Sequence, residues 1–366
     1  MEYPISLYYD TDVTIVQALD LCRGDNDYRK VYIVDDGERK IVIKHLSNTF
    51  SDRRRIGGWF ALMDEYRKTG LYCPAIVPNL YGELLHCDTK DGREYYTYAE
   101  EFSLYETAEH IGADACKNEN GHDIYIPDVM RSLGEIASAH LDMLDWPSCY
   151  CLLEPFCAPD TTDEGTECAV EFVKYVRENL PAHLPRAEAL LELFYKRQEE
   201  LRIVYPSLPT SCFQGDLHSG NILLDENHHF VGLLDFNLCG KEPILNYAVR
   251  EALFHVSDKR LVGENDSGLY FYDPELDELR NNLFLENIRY IQEYYTFNEL
   301  EKEVFPILFR YMNSFWWAHL YELESIQNDD RNRNGNGNGN LDRDGKINRL
   351  FDWLEHQMTR DDIRLP

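Results

Sequence analysis

The chain predicts an α+β fold in two lobes, an antiparallel sheet lobe over residues 1–99 followed by a mainly helical lobe over residues 100–366. Three observations carry this. Short β-branched runs meet at Asp-Gly turns in the first hundred residues. Apolar residues recur three or four apart through most of the remainder. The change from one pattern to the other falls between Ala99 and Ser103. With 366 residues, 44% of them apolar, there is ample material for a large core.

In chain order, "RKVYIVDDGERKIVIKH" reads as two strands joined at Asp36-Gly37, and "SDRRRIGGWFALMDEYRKTG" as a helix. Ser51 or Asp52 is placed to cap it, Ile56, Phe60 and Met63 lie on its apolar face, and Gly70 stops it. "LYGELLHC" and "REYYTYAEEF" are again strand-like, turning at Asp91-Gly92. Helices are expected around Asp128 to Asp142, Glu167 to Leu180 and Ala187 to Ile203. Next, "NILLD" and "HFVGLLDF" form a small hairpin about Asn227-His228-His229. Residues 328–346, "NDDRNRNGNGNGNLDRDGK", are low-complexity and predict a mobile loop before a last helix from Ile347 to Met358.

Charge and cysteine usage narrow the function class. The formal net charge is −30, from 66 acids against 36 bases, which repels phosphate backbones and anionic membrane surfaces. Nucleic acid and membrane are therefore not expected partners. The first residues, "MEYPISLYYDTD", show no basic segment leading into an apolar one, so a cytoplasmic protein is expected. Ten scattered cysteines without a CxxC pair read as reduced thiols. Asn340, Asp342, Asp344 and Gly345 imitate the start of a calcium loop, but its closing place is Phe351, which offers no carboxylate.

The densest chemistry lies in "CFQGDLHSGNILLDENHHFVGLLDFNLCGKE", residues 212–242. Asp216 and Asn221 stand at loop positions between apolar runs, and an acid returns at Asp235. Taken singly, such residues are ordinary turn and capping groups. Together, Asp-Leu-x-x-x-Asn followed by Asp-Phe resembles the catalytic and metal-binding loops of protein kinases. "QGDLHSGNILLD…GLLDFN" is most similar to the aminoglycoside phosphotransferase and choline kinase branch, and "IVIK", Ile41 to Lys44, matches the kinase strand lysine.

That resemblance implies a protein kinase-like fold, Mg²⁺ and ATP (or GTP) in a cleft, and a small-molecule hydroxyl as acceptor. It implies Asp216 as catalytic base, Asn221 and Asp235 as metal ligands, and Lys44 on the nucleotide phosphates. Gly24 and Asn26 fall where a phosphate-covering turn belongs. "YAEEF" falls at the hinge, where the Glu100 carbonyl and the Phe102 N–H are expected to meet the adenine edge. His218 is placed for a contact with acceptor.

Departures are Gln214 where the family has histidine, Asn237 after the Asp-Phe pair, and no glutamate on the first helix at the column expected to pair with Lys44. That column falls near Gly58 or Trp59, with Asp64 and Glu65 off the face. The acid-rich stretch between Arg260 and Arg280 (Glu264, Asp266, Asp273, Glu275, Asp277, Glu278), with Tyr270, Phe271 and Tyr272, predicts a cationic acceptor such as an aminoglycoside held by Asp273 and Glu275. The rival readings are a choline, ethanolamine, sugar or amino-alcohol kinase and a non-catalytic nucleotide-binding module. Oligomeric state leaves no trace in the sequence.

Overall fold

A computed structural model describes residues 3–24, 26–157, 162–261, 272–332 and 343–366. Strands β1 (Thr14–Asp20), β2 (Tyr28–Asp35) and β3 (Lys40–Ser47) run antiparallel, and helix α1 spans Arg53–Lys68. Strands β4 (Ile76–Val77), β5 (His86–Lys90) and β6 (Arg93–Glu101) complete a sheet ordered β1-β2-β3-β6-β4, with β5 also on β6. The residues 80–85 expected to be strand form turns. Asp36 Oδ1 closes the β2–β3 turn by accepting from the N–H of Glu38 and Arg39.

Alternation along β3 sorts its two faces. Ile41 and Ile43 are fully buried, with Val34, Val77, Ala99 and the N-terminal Ile5 and Leu7, in a core of their own. Each of the Val, Leu and Ile side chains contributes about 1.5–3 kcal/mol on burial. Val42, Lys44 and Leu46 take the other face, which looks toward α1 and the second lobe.

Helix α1 begins where the Asp52 side chain accepts from Arg55 N–H, and it buries Ile56, Trp59, Leu62, Met63 and Tyr66. Gly58 on this helix meets the second lobe directly. A Cβ there would lie 2.4 Å from the Trp146 ring, so only glycine lets the two lobes approach this closely. Trp146 is itself fixed by its Nε1–H, which donates to the Cys239 carbonyl at 2.9 Å.

The second lobe comprises β7 (Glu106–Thr107), α2 (Ala108–Ile111), α3 (Ile126–Ser138), α4 (Glu164–Asn179), α5 (Leu184–Val204), β8 (Thr210–Phe213), β9 (Ile222–Leu224), β10 (Phe230–Leu233), β11 (Gly240–Pro243), α6 (Ile244–Phe254), α7 (Pro274–Gln292), α8 (Glu299–Met312), α9 (Trp317–Asn332) and α10 (Arg343–Thr359). The predicted hairpin is β9–β10; β8–β11 is a second antiparallel pair whose four-residue runs carry no turn signal to announce them. The expected loop over 328–346 is corrected at both ends, since α9 continues to Asn332 and α10 begins at Arg343. Residues 333–342, including Asn340 and Asp342, lie outside the described residues, as do Glu264, Asp266, Tyr270 and Phe271.

Candidate functional site

The loop between β8 and β9 carries Asp216, and its geometry is set by neighbours of mixed origin. Gly215 adopts φ +88°, and an added Cβ would meet the Leu238 carbonyl oxygen at 2.3 Å, so the residue before Asp216 has to be glycine. Its N–H donates to Tyr247 Oη at 3.2 Å, and its carbonyl accepts from Cys149 Sγ at 2.9 Å. Asn221 Nδ2 donates to the Asp216 carbonyl at 2.9 Å and to Asp216 Oδ2 at 3.1 Å. The Asn221 carbonyl in turn accepts from Leu234 N–H at 2.9 Å, which ties this loop to the Asp235 turn.

Gln214, the departure noted in the sequence, is fully buried and acts as a bracket. Its Oε1 accepts from Asp216 N–H at 2.6 Å, while its Nε2 donates to the carbonyls of Leu234 at 2.9 Å and Asp235 at 2.6 Å. Asp235 has φ +51°, a left-handed conformation that costs a non-glycine residue about 1 kcal/mol or more. The amide bracket helps hold it there. A buried glutamine offers one acceptor and two donors, which suits one N–H and two carbonyls.

On the sheet side, Lys44 Nζ lies 3.2 Å from Glu100 Oε1 and 3.5 Å from Asp235 Oδ1. Register explains the first contact. Lys44 pairs with Tyr98 and Val42 with Glu100, so Lys44 and Glu100 lie diagonally on one face. Burial pulls the Lys44 pKa down, but Asp235 and Glu100 outweigh it and hold the ammonium well above its ordinary value. Burial also pushes the Glu100 carboxyl up, against the pull of Lys44.

The carboxylate that α1 lacks is therefore supplied by β6. Asp64 and Glu65 instead make local pairs with Arg67 and Lys68. The Phe102 N–H expected at the adenine edge donates instead to the Lys40 carbonyl at 3.0 Å, because pairing continues past Ala99, and Glu100 brings its side chain to Lys44.

Asp216 is partly buried, and loss of solvation raises its pKa above the ordinary carboxylate value; His218 opposes the rise, and Asp235 and Glu251 add to it. His218 Nε2 lies 3.5 Å from Asp216 Oδ2, and its Nδ1 accepts from Gly220 N–H. Glu109 of α2, which sequence reading passed over, lies against this loop: a Cβ on Gly220 would meet its Oε2 at 2.6 Å.

The remaining expectations separate. Gly24, at φ +68°, and the exposed Asn26 lie in the β1–β2 connection, closed by a hydrogen bond from Arg23 N–H to the Asp27 carbonyl. Neither lines the cleft, but Leu21, Arg29 and Lys30 on its flanks do, together with Lys44 and Asp235. Asp273 is the N-cap of α7, its Oδ1 accepting from the N–H of Glu275 and Leu276. That capping role accounts for the acid.

No group of three metal-binding His, Cys, Asp or Glu side chains occurs among the described residues. The Asn221–Asp235 pair fits a cation whose other ligands come from nucleotide: both side-chain hydrogen bonds of Asn221 run through Nδ2, and Asp235 keeps 37% of its side chain exposed. No helix among the described residues is long and apolar enough to cross a membrane.

Residues 20–246 match the family model of the phosphotransferase enzyme family, APH. An amicoumacin kinase solved with AMP-PNP, Ca²⁺ and Ami superposes at a TM-score of 0.51 and 12% identity, covering 97% of this chain and 91% of that one. A microcompartment-associated aminopropanol kinase (TM-score 0.46, 12% identity, 97% and 93% covered) and a spectinomycin phosphotransferase with ADP and spectinomycin (0.46, 11%, 94% and 90%) are also similar. No curated protein matches the sequence.

Proposed function

The chain belongs to the phosphotransferase enzyme family, and we propose that it moves the terminal phosphoryl group of ATP or GTP to a hydroxyl of a small acceptor oriented by Asp216. It is a small-molecule kinase, and the reading refines that statement by residue. The observation that carries it is the convergence of Asp216, Asn221, Asp235 and Lys44, four residues from three separate segments, in one hydrogen-bonded and charge-paired group.

Asp216, kept from full solvation, accepts the hydroxyl proton and aims the oxygen. Lys44, held cationic by Glu100 and Asp235, meets the phosphates, with Arg29 and Lys30 at the same cleft. Asn221 and Asp235 would hold Mg²⁺, which supplies charge neutralisation to the phosphates. The amicoumacin kinase complex with AMP-PNP and Ca²⁺ supports a nucleotide and a divalent cation in this fold. Residues 1–99 form the nucleotide lobe in this proposal and 100–366 the acceptor lobe, except that Glu100 and Glu101 join the first because β6 runs through them. The ten cysteines, none of them in a disulfide, suit a cytoplasmic location.

A polycationic acceptor such as an aminoglycoside is the second reading. With Asp273 spent on a helix end, it is favoured by Glu109 beside His218. The test is ADP release with Mg²⁺-ATP and Mg²⁺-GTP against aminoglycosides, choline, macrolides, sugars and hydroxy acids, with Asp216→Asn as control. Acceptor-dependent release lost in Asp216→Asn is expected. Nucleotide binding with no transfer to any acceptor overturns the catalytic reading and leaves a binding module.

A further inference from the structure

Beyond the Asp216 loop lies a cavity of about 420 Å³, within the size range of small-molecule sites. Its position follows from α6. Tyr247, near its middle, reaches Gly215 and Glu251 bears on Asp216, while Arg250, Leu253 and Phe254 line the cavity toward its C-terminal end. Tyr150 connects the two: it lines the cavity, and its neighbour Cys149 donates to the Gly215 carbonyl.

Arg250 is the unusual feature. Its guanidinium lies 3.8 Å from the Tyr150 ring centroid and 3.9 Å from that of Trp316, sandwiched between two aromatic faces. Stacking of this kind occupies the faces of the group and leaves its N–H edge for a planar acceptor. In a chain with 66 acids it forms no ion pair within 4.0 Å among the described residues; Glu164, which lines a smaller cavity behind it, feels its charge from further off. Arg280 supplies a second guanidinium to the cavity, and Phe254, 61% exposed, stands at its wall as an unburied aromatic.

We propose that this cavity holds the acceptor, and that the acceptor is an aryl hydroxycarboxylate, its carboxylate on the edge of Arg250, its ring among Tyr150, Trp316 and Phe254, and its hydroxyl toward Asp216. The proposal rests on the phosphotransferase reading for the fate of the hydroxyl but not for binding. The net charge of −30 opposes an anion only at long range, where salt screens it within about 8 Å; of the two guanidinium groups that line the cavity, Arg280 is paired with Asp277 at 3.5 Å, which leaves Arg250 to receive the anion.

The test uses the full-length protein and follows quenching of tryptophan emission, since Trp316 and Trp353 line the cavity. The probes are 3-phenyllactate, indole-3-lactate and 4-hydroxyphenylacetate, each beside its methyl ester. The acids should bind about tenfold or more tighter than their esters, and Arg250→Gln should shrink that gap to within about threefold. Phe254→Ala, at an exposed site that does not threaten folding, should weaken acid and ester alike.

Equal affinity for acid and ester in all three pairs overturns the proposal, and so does a gap that survives Arg250→Gln. ADP release is measured separately. Acid-selective binding without ADP release keeps the anion site and removes the phosphotransferase reading for it. ADP release with a polycation, and no acid preference, keeps the enzyme and removes this acceptor.

Discussion

Around Lys44 the charges are matched: its ammonium has Glu100 and Asp235, and Lys30 and Arg29 have Asp20 and Asp27. Around α6, less than a lobe away, they are not. Glu251 is fully buried with His255 Nε2 3.4 Å off, a poor hydrogen bond, and Arg250 has aromatic faces in place of a carboxylate. A buried carboxyl without a good partner is costly, and Glu251 is such a group, whereas Arg250 is only half-buried. The Lys44 group is thus charge-paired as it stands, while the α6 face, if it borders the acceptor as proposed, is left for a ligand to complete.

The comparison can be broken at its centre first. Asp216→Asn should lower turnover by about two to four orders of magnitude and leave nucleotide affinity within about threefold, measured by ADP release and nucleotide titration. Next is the bracket between the two halves. Gln214→Ala strands one N–H and two carbonyls and should cost about 2–4 kcal/mol in denaturant unfolding. Gln214→His, which can restore some of those bonds, should recover part of both stability and turnover.

Glu100→Gln should reduce kcat/KM for nucleotide about 10–100-fold, because Lys44 loses a charged partner. Asp64→Asn and Glu65→Gln, in exposed local pairs, should stay within about twofold. The reverse result would return the pairing role to α1. Asp273→Ala should cost about 1 kcal/mol of stability through its cap and leave the acceptor KM unchanged.

The smallest effect concerns pH. The native pKa of Asp216 is raised, so the folded state binds its proton more tightly than the unfolded chain, and stability falls as pH rises from the unfolded value near 3.9 through the raised native one. Asp216→Asn should therefore raise Tm by about 1–2 °C at pH 7 and lose that gain below the window.

Chain-local features were the legible ones. Asp216, Asn221 and Asp235 lie within twenty residues of one another, where spacing alone announces them, and the Asp36-Gly37 turn declares β2–β3. The pairing of the Glu100 side chain with Lys44 is not legible, because it depends on the register of β6 against β3 and only paired strands fix which residues share a face. Arg250, Tyr150 and Trp316 come from three distant segments and share no period, so nothing in the sequence joins them. Asp273 shows the converse: an acid before proline and a helix is first a capping residue.

The placement of Glu100 also bears on control. Where a lysine's carboxylate partner sits on a movable helix, displacing that helix separates the pair and gives the cell a throttle. Here both members belong to adjacent strands of one sheet, and α1 is wedged against Trp146 at Gly58. Folding and alignment are then a single event. A lysine held this way keeps its carboxylate partner without any helix having to move.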